Sequence, residues 1–143
     1  MANDITNQDG IRLFGQGGIV YENIDTSKTL ALADNGIVQN VIADAQTITL
    51  PATTAGATFT IRNGGVPASS SVGAGTGSDA SALITVAPNA SDQIAGLNFT
   101  AADNKAALNT KATAKVGDFI TLVGDGTNGW NVLFARGVWA RQA

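Results

Sequence analysis

The residue types that carry most protein chemistry are scarce in this chain. It has no histidine and no cysteine. That removes the commonest general base, the Ser-His-Asp arrangement, imidazole and thiolate metal ligands, and disulfides. Glu22 is the only glutamate; the aspartates are scattered singly, mostly beside Gly or Asn, where Asp normally serves a turn. A glycosidase needs two carboxyl groups brought together. Asp92 meeting Asp118 or Asp125 is the pairing to test. Gly15-Gln16-Gly17-Gly18 shares only glycine content with a phosphate loop, since no Gly-Lys-Ser/Thr follows. Asp125-Gly126-Thr127-Asn128-Gly129 lacks the alternating acids of a calcium loop, and Arg136 stands where an EF-hand carries its last Glu. It reads as a hairpin turn. Two glycosylation sequons, at Asn89 and Asn98, would need a secretory context that nothing in the chain signals. The expectation is a protein that is not an enzyme and uses neither cofactor nor metal.

The elements that must position whatever function exists are strands. Residues 116–135, VGDFITLVGDGTNGWNVLFA, read as a β-hairpin. Its first arm, 119–123, is apolar or β-branched throughout; its second sets Trp130, Val132 and Phe134 at period two. The glycine-rich link between them tolerates positive φ. In the first arm Phe119 and Val123 lie on one side, Ile120 and Leu122 on the other. A strand wetted on one face should alternate apolar with polar, so both faces are expected to be covered, the outer one by another subunit.

With 143 residues the chain is expected to form one domain with a real core. Of its 44% hydrophobic residues, 24 are Ala, which leaves a thin core that a partner surface could complete. Abundant Val, Ile and Thr favour strands. A net charge of −3 without a basic cluster argues against nucleic acid or an anionic membrane as main partner. Only 13% of residues are charged, fewer than a fully wetted surface usually carries. No apolar run approaches the roughly 18 residues of a transmembrane helix, and the opening MANDITNQ shows no signal-peptide pattern.

Along the chain, residues 1–18 read as an N-terminal arm and 19–143 as the β-domain. Ile11, Leu13 and Phe14 form a small apolar cluster before the glycine hinge. Two readings stay open: a first strand tucked onto the domain's own sheet, or an arm docking on a neighbour. Short strand-like runs follow at 19–21, 29–32, 37–42, 47–50, 57–62, 83–86 and 94–97, those at 47–50 and 57–62 alternating, separated by turn signals such as Asp34-Asn35-Gly36 and closed by Pro51 and Pro88. Such spacing is typical of a sandwich or barrel. Residues 66–82 read as a long loop, either solvated or ordered by a partner. Residues 100–108 are the only helical candidate; a turn leading into a strand at 105–114 is the other reading. Trp139 and Arg141 belong to types enriched at interface hot spots. With Ile11, Leu13 and Phe14 they are the candidate partner-binding residues, although Trp139 also suits the core.

Three segments, in order, resemble virion proteins of tailed bacteriophages. TLALADNGIVQNVIADAQTITLPATTAGATFTIRNGG is similar to a strand pair, an ITLP and a Gly-led strand ending in Asn-Gly; ITVAPNASDQIAG and GDFITLVGDGTNGWNV are similar to two later segments. Together they span about residues 29–135. The chain most resembles small head decoration, or cement, proteins; related modules occur in head and tail fibres. The resemblance implies an all-β, antiparallel β-sandwich or jelly-roll-like domain, often trimeric. It also implies a place on the outer capsid surface, with the major capsid protein as partner and no nucleic acid or membrane partner. The alternative is a head-fibre or tail-fibre receptor-binding module.

Overall fold

The computed structural model describes residues 19–65 and 83–143. They form two β-sheets, and the first six strands wind between them. β1 (Tyr21–Ile24) lies in one sheet and β2 (Lys28–Thr29) in the other. β3 (Val38–Val41) returns to the first sheet and β4 (Gln46–Thr49) to the second; β5 (Thr58–Asn63) and β6 (Ile84–Ala87) repeat the step. Successive passes run the same way, so β1, β3 and β5 pair in parallel, as do β2, β4 and β6. Parallel strands need a crossover, which is usually a helix. Here the crossover is a strand of the facing sheet.

The remaining strands pack differently. β7 (Gln93–Ala95), β8 (Ala107–Asn109), β9 (Phe119–Gly124), β10 (Gly129–Arg136) and β11 (Ala140–Arg141) complete sheets of six and five strands, ordered β1-β3-β5-β9-β10-β7 and β11-β8-β6-β4-β2. β9 pairs antiparallel with β5 and β10; β8 pairs antiparallel with β6 and β11; β7 adds in parallel to β10. The fold is an all-β sandwich, as expected. The expectation of antiparallel pairing throughout, jelly-roll pairing included, is corrected to two mixed sheets. Turn signals mark where a strand stops; they do not choose its neighbour. Residues 100–108 contain no helix: Asp103 bridges to Gln93, and β8 starts at Ala107. The apolar run at 29–32 is cut short by a 3-10 turn at Leu32–Asp34.

Period-two alternation decides which side chains enter the core. On β5 these are Phe59 and Ile61, on β9 Ile120 and Leu122, on β6 Ile84 and Val86, all fully buried. Ile48, Leu50, Val41 and Ile94 complete the packing. Trp130 tilts against Phe59, ring centroids 5.3 Å apart at 59°, close to the edge-to-face arrangement that aromatic pairs favour.

Both ends of the sandwich interior turn polar. Beside the first coil, Lys28 Nζ donates to Glu22 Oε2 at 2.8 Å, Asp34 Oδ1 at 3.0 Å and Gln39 Oε1 at 3.2 Å. Burial alone would lower the Lys28 pKa, but the Glu22 and Asp34 carboxylates outweigh it and raise it. Burial likewise opposes ionisation of Asp34, yet the Ala31 N–H and Lys28 hold its carboxyl below the usual range. Among the described strands β1 is at the edge of its sheet, and charged side chains at an edge discourage unwanted strand pairing. At the other end Asn109 Nδ2 donates to Asp118 Oδ2 at 3.1 Å and to the Val138 carbonyl at 3.0 Å, while its Oδ1 accepts from Asn63 Nδ2 at 2.8 Å. That amide joins β8 of one sheet to β5 and the start of β9 in the other.

Candidate interaction surface

Asp92 Oδ2 accepts from the Thr53 N–H at 2.8 Å. Asp118 Oδ2 accepts from Asn109 and from the Lys115 N–H. Asp125 Oδ1 accepts from the N–H groups of Thr127, Asn128 and Gly129 at 2.7–2.9 Å. The loop at 125–129 is therefore a carboxylate-capped hairpin turn, as read from the sequence. Each of the three accepts backbone N–H bonds, and Thr53 links Asp92, to which its N–H donates, to the 125–129 turn, where its Oγ1 donates to the Gly129 carbonyl at 2.6 Å. Amide donation, from Gly129 first, holds the Asp125 carboxyl below the usual range. A general acid needs the opposite shift.

That depression has a consequence in acid. A carboxyl with a lowered folded-state pKa stabilises the fold above its unfolded value and loses that contribution as pH falls through the folded value. Stability of the parent chain should therefore fall as pH drops below about 4. Asp125→Asn keeps an acceptor oxygen but cannot titrate, so its acid unfolding curve should be shallower. Superimposable curves for the two proteins would refute the role given to this turn.

The outward face of the six-stranded sheet is the candidate surface. Strand register sets Tyr21, Val38, Thr60, Thr121 and Phe134 in one row across five strands. The next outward row is Asn23, Asn40, Arg62, Phe119 and Arg136. Ile19, Tyr21, Val38, Asn40, Thr60, Arg62 and Phe119 line a shallow groove of about 510 Å³. Its polar members hold one another: Arg62 Nη1 donates to Asn40 Oδ1 at 2.7 Å, and Asn40 Nδ2 donates to Asn23 Oδ1 at 2.8 Å. Gly64 makes room for this ladder, since a Cβ there would come within 2.7 Å of the Asn40 amide. Tyr21 is 60% exposed and Ile19 80%. Both faces of β9 carry apolar residues as expected; among the described residues the inner one is fully buried and the outer one half-buried.

A β-bulge changes the far side of this face. Val132 pairs with Leu122 and Phe134 with Thr121, so Leu133 is an extra residue on β10. The phase inverts there. Trp130 stays 1% exposed in the core, whereas Phe134 turns outward and is 65% exposed. Leu133 and Val138 are exposed beside it in the chain. The expectation that Trp130, Val132 and Phe134 share one face is thus corrected at Phe134.

Of the partner-binding candidates, Ile11, Leu13 and Phe14 lie outside the described residues, as does the loop at 66–82. Of the two readings of Trp139 the structure shows the core one: its ring is buried there, and its indole N–H donates to the Arg136 carbonyl at 3.0 Å. Arg141 Nη1 reaches the Thr100 carbonyl at 3.1 Å on the surface. Tyr21, Val38, Arg62, Leu133 and Phe134 were missed by sequence reasoning. The Leu133-Phe134 pair, two large apolar residues in a row after an alternating run, was the one available sign of a bulge. Among the described residues no group of three His, Cys, Asp or Glu side chains gathers to hold a metal, and no helix is long and apolar enough to cross a membrane. No known protein-family model matches the chain, and no curated protein matches it.

Proposed function

We propose that this is a structural virion protein, a decoration or cement protein that binds the outer surface of a tailed-phage head and stabilises its shell. The observation that carries the reading is Leu133 and Phe134 at the bulge of β10 and Val138 in the turn after it, each more than half exposed. Three large apolar side chains exposed within six residues of a lightly charged chain support a site for protein contact. The ordered resemblance over residues 29–135 supports the same partner, the major capsid protein, and a trimeric arrangement of copies. A protein that binds only the assembled shell stabilises it by mass action, and the effect repeats at every bound copy.

The test is binding to purified shells lacking the chain. Leu133→Glu with Phe134→Glu should weaken binding by roughly 30-fold or more, since a central apolar anchor contributes about 2 kcal/mol. Thr85→Glu, on the outward side of the five-stranded sheet, serves as the control. Shells saturated with the parent chain should also resist heating better than bare ones. Unchanged affinity of the double variant, or a few copies mounted on a fibre in imaged particles, would replace this reading.

A further inference from the structure

We infer that the outward face of the six-stranded sheet fits an acidic partner, and that the phage shell presents carboxylates to a row formed by Arg62, Phe119 and Arg136. This rests on the proposed shell contact and names the chemistry of its other side. Phe134 and Arg136 both face outward on β10, because Ala135 between them packs against the core. The apolar contact at Phe134 therefore runs on into the neighbouring row. Register places Arg136 beside Phe119 and Phe119 beside Arg62. The two arginine backbones stand two strand spacings apart, about 10 Å.

Charge singles this face out. The chain has 11 acidic and 8 basic residues, net −3. Yet among the described residues the two outward rows hold no Asp, Glu or Lys, and the third row, Thr58, Val123 and Asn131, is uncharged as well. What remains is two arginines and three aromatic rings, Tyr21, Phe119 and Phe134. Aromatic residues and Arg are enriched at protein contacts, where Lys, Glu and Asp are depleted. Arg62 is also set in place before a partner arrives. It donates to Asn40, which is only 7% exposed and donates in turn to Asn23. Among the described residues neither guanidinium has a carboxylate partner. The guanidinium fork matches the two oxygens of a carboxylate. An acidic shell surface is repelled by the chain's net charge and attracted by this face, which fixes the docking orientation.

The test uses the full chain and purified shells lacking it, at two salt concentrations. Raising NaCl from about 0.05 M to about 0.3 M should weaken binding of the parent chain about tenfold, because charge pairs at the rim are screened. Arg62→Gln with Arg136→Gln should weaken binding about tenfold at the lower salt and leave little salt dependence. Arg136→Gln alone should show part of both effects. Its guanidinium has no hydrogen-bond partner among the described residues, so this variant should fold as the parent does. Lys105→Gln, which removes one charge just before β8 on the other sheet, should change neither quantity. Unchanged affinity and salt dependence in both arginine variants would overturn the inference; if Leu133→Glu with Phe134→Glu still loses binding, the shell contact itself stands. An equal loss in Lys105→Gln would show a general charge effect and overturn it too. Self-association of the parent chain that the arginine variants abolish would give the face to a second copy, with the same consequence. A parent chain that binds no shells would remove the proposed function, and this inference with it.

Discussion

Replacing Asn109 by leucine should lower the stability of this domain by about 3–5 kcal/mol, although the two side chains branch alike and carry the same number of heavy atoms. Asn109 is fully buried, and all the bonds of its amide run between the two sheets or to the turn after β10. Leucine would remove the acceptor that Asn63 Nδ2 uses, one of the donors to the 3% exposed Asp118, and the donor to the Val138 carbonyl. Leaving buried polar groups unsatisfied costs about 1–3 kcal/mol each, and the charge on Asp118 puts its share at the upper end. The expected fall in Tm is roughly 10–15 °C for a domain of this size. Thermal melts by circular dichroism measure it. A loss under about 1 kcal/mol would mean that water or a side-chain shift replaces the amide, and that the cluster does not lock the sheets together.

Gly129→Ala should be as damaging for a different reason. Gly129 pairs with Gln93 where β10 meets β7. A Cβ there would sit 2.2 Å from the Gln93 carbonyl oxygen and 2.6 Å from its nitrogen, and φ is +152°, which side-chain-bearing residues rarely adopt. Both obstacles are backbone, so no rotamer change relieves them. The same residue's N–H is held by Asp125, and its carbonyl accepts from the Asp125 N–H and from Thr53 Oγ1. Moving the strand to admit a methyl group would disturb the hairpin turn too. A loss of about 3 kcal/mol or more is expected, the range of combined strain and overpacking. Gly117→Ala is the matched comparison. Its φ of +97° is also positive, but a Cβ there meets nothing within 4 Å. Only the conformational cost, about 1–2 kcal/mol, should appear. Urea titrations of the two variants should therefore separate clearly; equal losses would mean that the β7–β10 contact yields easily.

Much of the local structure was legible in the residue order. The short strand-like runs became β3, β4, β5 and β6 because period two is a property of extended backbone and needs no partner to be read, and the apolar, β-branched run at 119–123 became β9. The turn at 125–129 was legible because an aspartate two to four residues before amide donors makes its own cap. The lack of histidine and cysteine bounded the chemistry outright.

Tertiary structure alone decided the rest. Whether β3 lies parallel to β1 and β5 depends on how the chain returns after visiting the other sheet, and local alternation is the same in either direction. Phe134 reads as a core residue by counting from Trp130; one extra residue at Leu133, stabilised by pairing with β9, reverses its side. Trp139 reads as either core or anchor from its type and place near the terminus; the turn after β10 folds its ring into the core and offers the Arg136 carbonyl to its N–H. Tyr21, Val38, Arg62 and Phe119 are far apart in the chain and share a groove only through register across four strands. Residue order carries short-range geometry because neighbouring peptide units constrain one another; a surface assembled across strands exists only after pairing has chosen which ones lie side by side.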